Sequence, residues 1–187
     1  MTAKQRYLKE DDDGCADVFY LIDASGSVCG DKKYLNKVLS EIFELEAEND
    51  MYIRRSCLAY FSTYVDYDMV REWDAKEDSR DYKLDLCEYR KEDPSGGTEI
   101  VGCINTVEEW DDYYRLDNPH TLLIVFTDGV DFNLGTVDNL DDQQKAQIVF
   151  VILNDRASGE RIKEQLIGYD IPEKNIAVIP SEEYSKR

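Results

Sequence analysis

Histidine is nearly absent from this sequence. His120 is the only one in 187 residues, so a Ser-His-Asp or Cys-His relay has a single residue to draw on as base. Cationic residues are scarce as well: 22 Lys and Arg stand against 41 Asp and Glu, a formal net charge of −19. Such a chain repels nucleic acid and anionic lipid or polysaccharide surfaces and draws in basic partners. The same acidity also suits solubility or a salty habitat, and sequence charge speaks to both. No apolar run approaches the ~20 residues of a membrane span. Met1-Thr2-Ala3-Lys4-Gln5-Arg6 lacks the apolar stretch of a signal peptide, and no Asn-x-Ser/Thr acceptor occurs. Neither G-x-x-x-x-G-K-[ST] nor G-x-G-x-x-G is present, so phosphate-cradling loops of those types are not expected.

Cysteine is present but without metal-binding spacing. The set Cys15, Cys29, Cys57, Cys87 and Cys103 has no C-x-x-C pair, which argues against zinc, and its odd number leaves at least one thiol unpaired within the chain. Cys57 in a strand-like run and Cys103 on a helical pattern read as small buried apolar residues. Cys15, Cys29 and Cys87 are the ones that could pair in an oxidising compartment.

The richest segment follows the apolar run Val18-Phe19-Tyr20-Leu21-Ile22. There Asp23-Ala24-Ser25-Gly26-Ser27 offers one carboxylate and two hydroxyls in five residues, with Gly26 allowing a sharp turn. In open α/β sheets ligands bind at the carboxyl ends of strands. Hard oxygen donors in that place point to a magnesium-like cation. Thr121 to Phe126 repeats the pattern, a strand-like run ending in Thr127-Asp128-Gly129, and Pro94-Ser95-Gly96-Gly97-Thr98 adds a hydroxyl in a glycine-rich loop.

Residues 1–14 are polar, end in acids and read as a disordered lead-in, with one domain over 15–187. Strands are expected at Asp17–Asp23, Met51–Phe61, Tyr64–Trp73, Leu122–Thr127, Ile148–Leu153 and Asn175–Ile179. The two-residue link Ser62-Thr63 implies an antiparallel hairpin. Helical spacing predicts helices from Tyr34 to about Glu48, over Glu99–Tyr114 with Thr98 as its cap, and over Ser158–Gly168 with Gly168 as left-handed cap. Short helices are expected within Lys76–Glu92 and over Asp138–Ala146. This alternation indicates an α/β fold, a doubly wound, mostly parallel sheet with one antiparallel edge strand and helices on both faces.

Asp23, Ser25, Ser27, Thr98 and Asp128, in that order and context, resemble the metal-ion-dependent adhesion site of von Willebrand factor A-type (vWA) domains, and the resemblance spans about Asp17 to Pro180. It implies a Rossmann-like fold. It further implies that Ser25, Ser27 and Thr98 bind Mg2+ (or Mn2+) directly while Asp23 and Asp128 hold its waters and orient the serines, as outer ligands do. An ion held by neutral hydroxyls stays open to an Asp or Glu carboxylate of a partner protein, here one with a basic surface. The loops Val28–Lys32, Ser62–Thr63, Ser95–Glu99 and Val130–Leu134 would form the contact face. Gly26, Gly97, Glu99, Gly129, Asp131 and Phe132 would lie on its rim. The other reading of the hydroxyls and acids is as helix caps and turn formers.

Two departures from the family stand out. Extracellular members often tie their ends by a disulfide, and Cys15 holds the N-terminal position with no cysteine beyond Cys103. Affinity-switching members carry a helix after the last strand, where this sequence has Ser181–Arg187. A surface adhesin or receptor domain within a larger protein and an intracellular assembly protein both remain open. Catalysis is not expected: a metal phosphatase on a similar sheet would need Asp-x-Asp where Asp23-x-Ser25 stands, and His120 precedes the fourth strand, away from the carboxyl-end site.

Overall fold

The computed structural model describes residues 16–30, 32–49, 52–110, 112–114, 121–129 and 134–180, without the side chains of Ser27 and Leu134. The lead-in over 1–14, Cys15, His120, Asp131 and Phe132 lie outside these residues. Among the described residues six strands form one sheet: β1 (Ala16–Asp23), β2 (Ile53–Phe61), β3 (Arg71–Trp73), β4 (Thr121–Thr127), β5 (Ile148–Asn154) and β6 (Ile176–Pro180). Their order is β3-β2-β1-β4-β5-β6, parallel except for β3, which runs antiparallel to β2 at one edge. The fold class read from the sequence is the one found.

Helices cover both faces: α1 (Lys32–Glu48), α2 (Arg80–Leu86), α3 (Ile100–Glu108), α4 (Asp142–Gln147) and α5 (Arg156–Gly168). The period of two in each strand divides the core into two layers. Phe19, Leu21, Cys57, Ala59, Leu123, Val125, Phe150 and Ile152 pack with Ile100, Cys103, Ile104 and Val107 of α3 and Ile162 and Leu166 of α5. Val18, Tyr20, Ile22, Leu58, Tyr60, Phe126 and Val151 turn to the other face and meet Leu35, Val38, Leu39, Ile42 and Phe43 of α1. Fully burying one such side chain contributes about 1.5–3 kcal/mol. Because both faces are covered, β1 and β4 read as nearly continuous apolar runs.

Some expected elements differ in extent. The chain after Ser62 does return antiparallel, but the return strand is only Arg71–Trp73, paired with Ser56, Cys57 and Leu58. Before it come an isolated bridge between Phe61 and Val65 and a 3-10 turn, Tyr67–Met69, where the Asp66 carboxylate accepts from the Asp68 amide. A short acidic side chain has offered the backbone a local partner in place of the ladder. The helix expected to reach Tyr114 stops at Glu108, and Trp110 and Tyr113 turn aside to meet the Tyr67 ring, edge-on at 5.4 Å and tilted at 5.1 Å. The short helix expected over Asp138–Ala146 is split between a 3-10 turn, Leu134–Asn139, and α4, whose start Asp141 and Gln144 close as a reciprocal capping box.

Gly168 is not the left-handed cap of α5. That conformation falls to Asp170, with φ 62°. The Asp170 amide donates to the Ile167 carbonyl and the Ile171 amide to that of Leu166, while Ile171 and Leu166 bury together. This is a Schellman closure with its apolar contact. Cys29, Cys57, Cys87 and Cys103 are all free and buried, so Cys29 and Cys87 do not pair, whereas the expected burial of Cys57 and Cys103 is found.

Candidate functional site

The chain leaves β1 through α1 toward β2 on one side, while β4 lies on the other side of β1 and leads on to β5 and β6. The order therefore reverses between β1 and β4, which is where open α/β sheets form their ligand crevice. Asp23 closes β1 and Thr127 closes β4 at this point.

Asp23 is fully buried, and the groups around it are donors. Its Oδ1 accepts the Ser25 amide at 2.8 Å. Its Oδ2 accepts the Thr127 hydroxyl at 2.7 Å. The Thr98 hydroxyl lies over both oxygens, at 3.3 and 3.4 Å. Burial pushes the Asp23 carboxyl above its usual range, the Thr127 hydroxyl and the Ser25 amide hold it down, and the Asp128 carboxylate pushes it further up. Two acids thus sit in mutual repulsion at adjacent strand ends, Asp128 being only 4% exposed.

The turn that carries Asp128 is fixed from two directions. The Gly129 amide donates to Thr127 Oγ1 at 3.1 Å, and the Asn154 side-chain amide at the end of β5 donates to the Asp128 carbonyl at 2.6 Å. Gly129 adopts φ +69°, a conformation that costs other L-residues strain. Thr98 approaches from the loop before α3. Its hydroxyl faces Asp23 and does not cap the helix; Glu99 holds the cap position without a side-chain hydrogen bond. The Glu99 amide donates to the Ser62 carbonyl at 2.9 Å, which ties this loop to the end of β2.

Of the five residues singled out in the sequence, Asp23 and Thr98 are in hydrogen-bond contact, Ser25 joins them through its amide, and Asp128 acts on Asp23 through charge. The Ser27 side chain lies outside the description. On the rim, Gly26, Gly97 and Glu99 are exposed and Gly129 is half-buried, with Asp131 and Phe132 again outside it. Thr127 was missed by sequence reasoning, although its place just before Asp128 at the end of an apolar run was a usable signal. Asn154 was missed too, and only the sheet order brings it near.

Among the described residues no three His, Cys, Asp or Glu side chains gather as a metal cluster. The donors here are two acids with hydroxyls from separate segments, all hard oxygens. That set fits Mg2+ or Mn2+ and not a softer ion.

No protein-family profile matches the chain, and no curated protein matches its sequence. Its fold is similar to that of the conserved hypothetical protein BatB from Bacteroides thetaiotaomicron, with a TM-score of 0.56 at 15% identity, covering 88% of this chain and 90% of that one. It is similar also to proximal thread matrix protein 1 (PTMP1) from the mussel byssus, with a TM-score of 0.54 at 18% identity, covering 95% of this chain and 47% of that one. At such identities the likeness extends to the fold, and function has to be argued from the site.

Proposed function

We propose that this chain is a vWA-type domain that binds a protein partner through a divalent cation, Mg2+ or Mn2+, held at the ends of β1 and β4. The observation that carries the reading is Asp23: fully buried at the point where the sheet order reverses, surrounded by the Ser25 amide and the Thr98 and Thr127 hydroxyls, and beside a second buried acid. An acid pair of this kind is unfavourable by itself and becomes favourable beside a cation. Ser25, Ser27 and Thr98 would hold the ion, and Asp23 and Asp128 would orient the serines and its waters. When bound, the ion offers a coordination position to an incoming Asp or Glu.

The chain's own residues supply the rest of the recognition. A net charge of −19 steers toward a partner that is basic around its carboxylate and works against nucleic acid. No described helix is long and apolar enough to cross a membrane. A binding role, not catalysis, is proposed, and it rests on the site alone. A second setting, inside the cell as an assembly protein using the same site, draws on the four free thiols among the described residues.

Calorimetric titration of the chelator-stripped protein with Mg2+ and Mn2+ tests the reading, alongside a Ser25→Ala, Ser27→Ala double variant. Saturable binding that the variant loses is expected. Absence of binding to the wild-type protein would overturn it.

A further inference from the structure

Thr98 reaches Asp23 from a loop that has little stiffness of its own. Pro94-Ser95-Gly96-Gly97-Thr98 contains adjacent glycines, and Gly96 adopts φ +117°. Glycine loses more conformational freedom on ordering than any other residue, so such a loop keeps one shape only when anchored on both sides. The Glu99 amide bonded to the Ser62 carbonyl is one anchor.

The other lies at Asp93, which is buried although it belongs to a loop. Arg71 of β3 grips its carboxylate with two parallel hydrogen bonds, Nη1 to Oδ1 at 2.6 Å and Nη2 to Oδ2 at 2.7 Å. The Arg90 amide donates to Oδ2 as well, at 2.6 Å. Arg71 is itself fixed by the Met69 carbonyl at 2.9 Å and by the Tyr60 ring, whose centroid lies 5.2 Å from the guanidinium carbon. Tyr60 in turn donates its hydroxyl to the Cys87 carbonyl at 2.7 Å and meets the Tyr89 ring edge-on at 5.0 Å. Tyr89 donates its hydroxyl to the Pro94 carbonyl at 3.1 Å, at the root of the glycine loop.

We propose that Arg71, Asp93 and Tyr89 are positioning residues that hold the 94–98 loop where Thr98 stands over Asp23, so that the antiparallel edge strand sets the cation affinity of the site. The inference rests on the metal-binding reading given above. A bidentate arginine–carboxylate pair fixes direction as well as distance, which a lone hydrogen bond does not. Its burial also removes the screening that weakens surface pairs.

The test measures Mn2+ affinity by calorimetry and, without metal, hydrogen exchange at the Glu99 amide. Asp93→Asn leaves Arg71 buried without its counter-charge and is a severe change. Tyr89→Phe removes one hydroxyl and is the mild one. Asn175→Ala serves as control, since it removes a buried side-chain amide that donates to the Lys145, Ala146 and Ile148 carbonyls beside β6, at the opposite edge of the sheet from β3. Affinity is expected to fall about 10-fold or more in Asp93→Asn, the usual scale for groups that orient metal ligands, and by a smaller factor in Tyr89→Phe. Glu99 exchange should quicken in both, while Asn175→Ala keeps the wild-type affinity. In a Thr98→Ala background Tyr89→Phe should bring no further loss, because its effect passes through Thr98.

Wild-type affinity in Tyr89→Phe, or an undiminished loss in the Thr98→Ala background, overturns the inference while leaving the metal site standing. A comparable loss in Asn175→Ala overturns it also, by showing that general destabilisation suffices. If Asp93→Asn does not fold, Tyr89→Phe decides alone. A wild-type protein that binds neither Mn2+ nor Mg2+ overturns the functional reading and this inference with it.

Discussion

The Thr127 hydroxyl joins the two central strand ends: it donates to Asp23 Oδ2 at 2.7 Å and accepts the Gly129 amide at 3.1 Å. One side chain therefore fixes the Asp23 carboxylate and, through the backbone, the turn that presents Asp128. Thr127 is fully buried, so the bond is shielded from competing water.

Replacing Thr127 by Val keeps the shape and removes this donor. Asp23 loses a bond that favours its charged form, and the Gly129 amide loses its acceptor. Mg2+ and Mn2+ affinity is expected to fall about 10-fold, the lower end for groups that orient metal ligands. Titration of the chelator-stripped variant reads this directly, and an unchanged affinity would show that Thr127 has no part in the site.

The sheet was legible because its central strands are buried on both faces. Val18 to Ile22, Thr121 to Phe126 and Ile148 to Leu153 are apolar runs that end at polar turns, and no partner had to be known to read them. The return strand Arg71–Trp73 was less legible: it is three residues long, and its preceding turn is set by Asp66, a local competitor that periodicity does not weigh. The acids and hydroxyls of the candidate site were visible as strand-end residues. Thr127 stood at the end of an apolar run, where its hydroxyl was a readable signal, whereas the Arg71–Asp93 pair spans 22 positions, so only folding brings it together.

The four described cysteines offer a check on packing. Cys29, Cys57, Cys87 and Cys103 are buried, and burial pushes each thiol up, those of Cys87 and Cys103 to about 12. Since the thiolate is the reactive form, native protein at pH 8 should leave these four unmodified by iodoacetamide, and unfolding should expose all of them. Peptide mass spectrometry distinguishes the two states. Rapid native labelling of Cys29 would mean that the turn after Asp23 opens readily, because its thiol donates to the Asp23 carbonyl at 3.4 Å.

Glu108 gives a pH dependence away from the site. Desolvation raises its carboxyl above the usual glutamate range, Asp141 adds to the rise, and the Gln144 side-chain amide partly opposes it. A carboxyl whose folded value is raised binds its proton more tightly in the folded than in the unfolded state, so its contribution is present at low pH and is lost as pH rises through the folded value. Glu108→Gln should therefore gain stability relative to wild type as pH rises from 4 to 7. Thermal melts across that range measure it, and a difference between the two proteins that does not change with pH would count against the raised value.

Gly129 joins backbone conformation to the site. At φ +69°, a side chain there carries a left-handed penalty of about 1–2 kcal/mol. A Cβ would also stand 2.5 Å from Ile162 Cδ1 of α5. The isoleucine tip can turn aside, so the backbone term should dominate and Gly129→Ala should fold with a lowered melting temperature. The strained turn would relax by moving the residue before it, Asp128, relative to Asp23. Stability and metal affinity should consequently fall together, whereas Gly168→Ala, a helical position where an added Cβ meets nothing within 4 Å beyond its own helix backbone and chain neighbours, should lower neither. A Gly129→Ala protein that melts lower yet binds Mn2+ as tightly as wild type would separate the turn from the site and exclude Asp128 from any part in holding the ion.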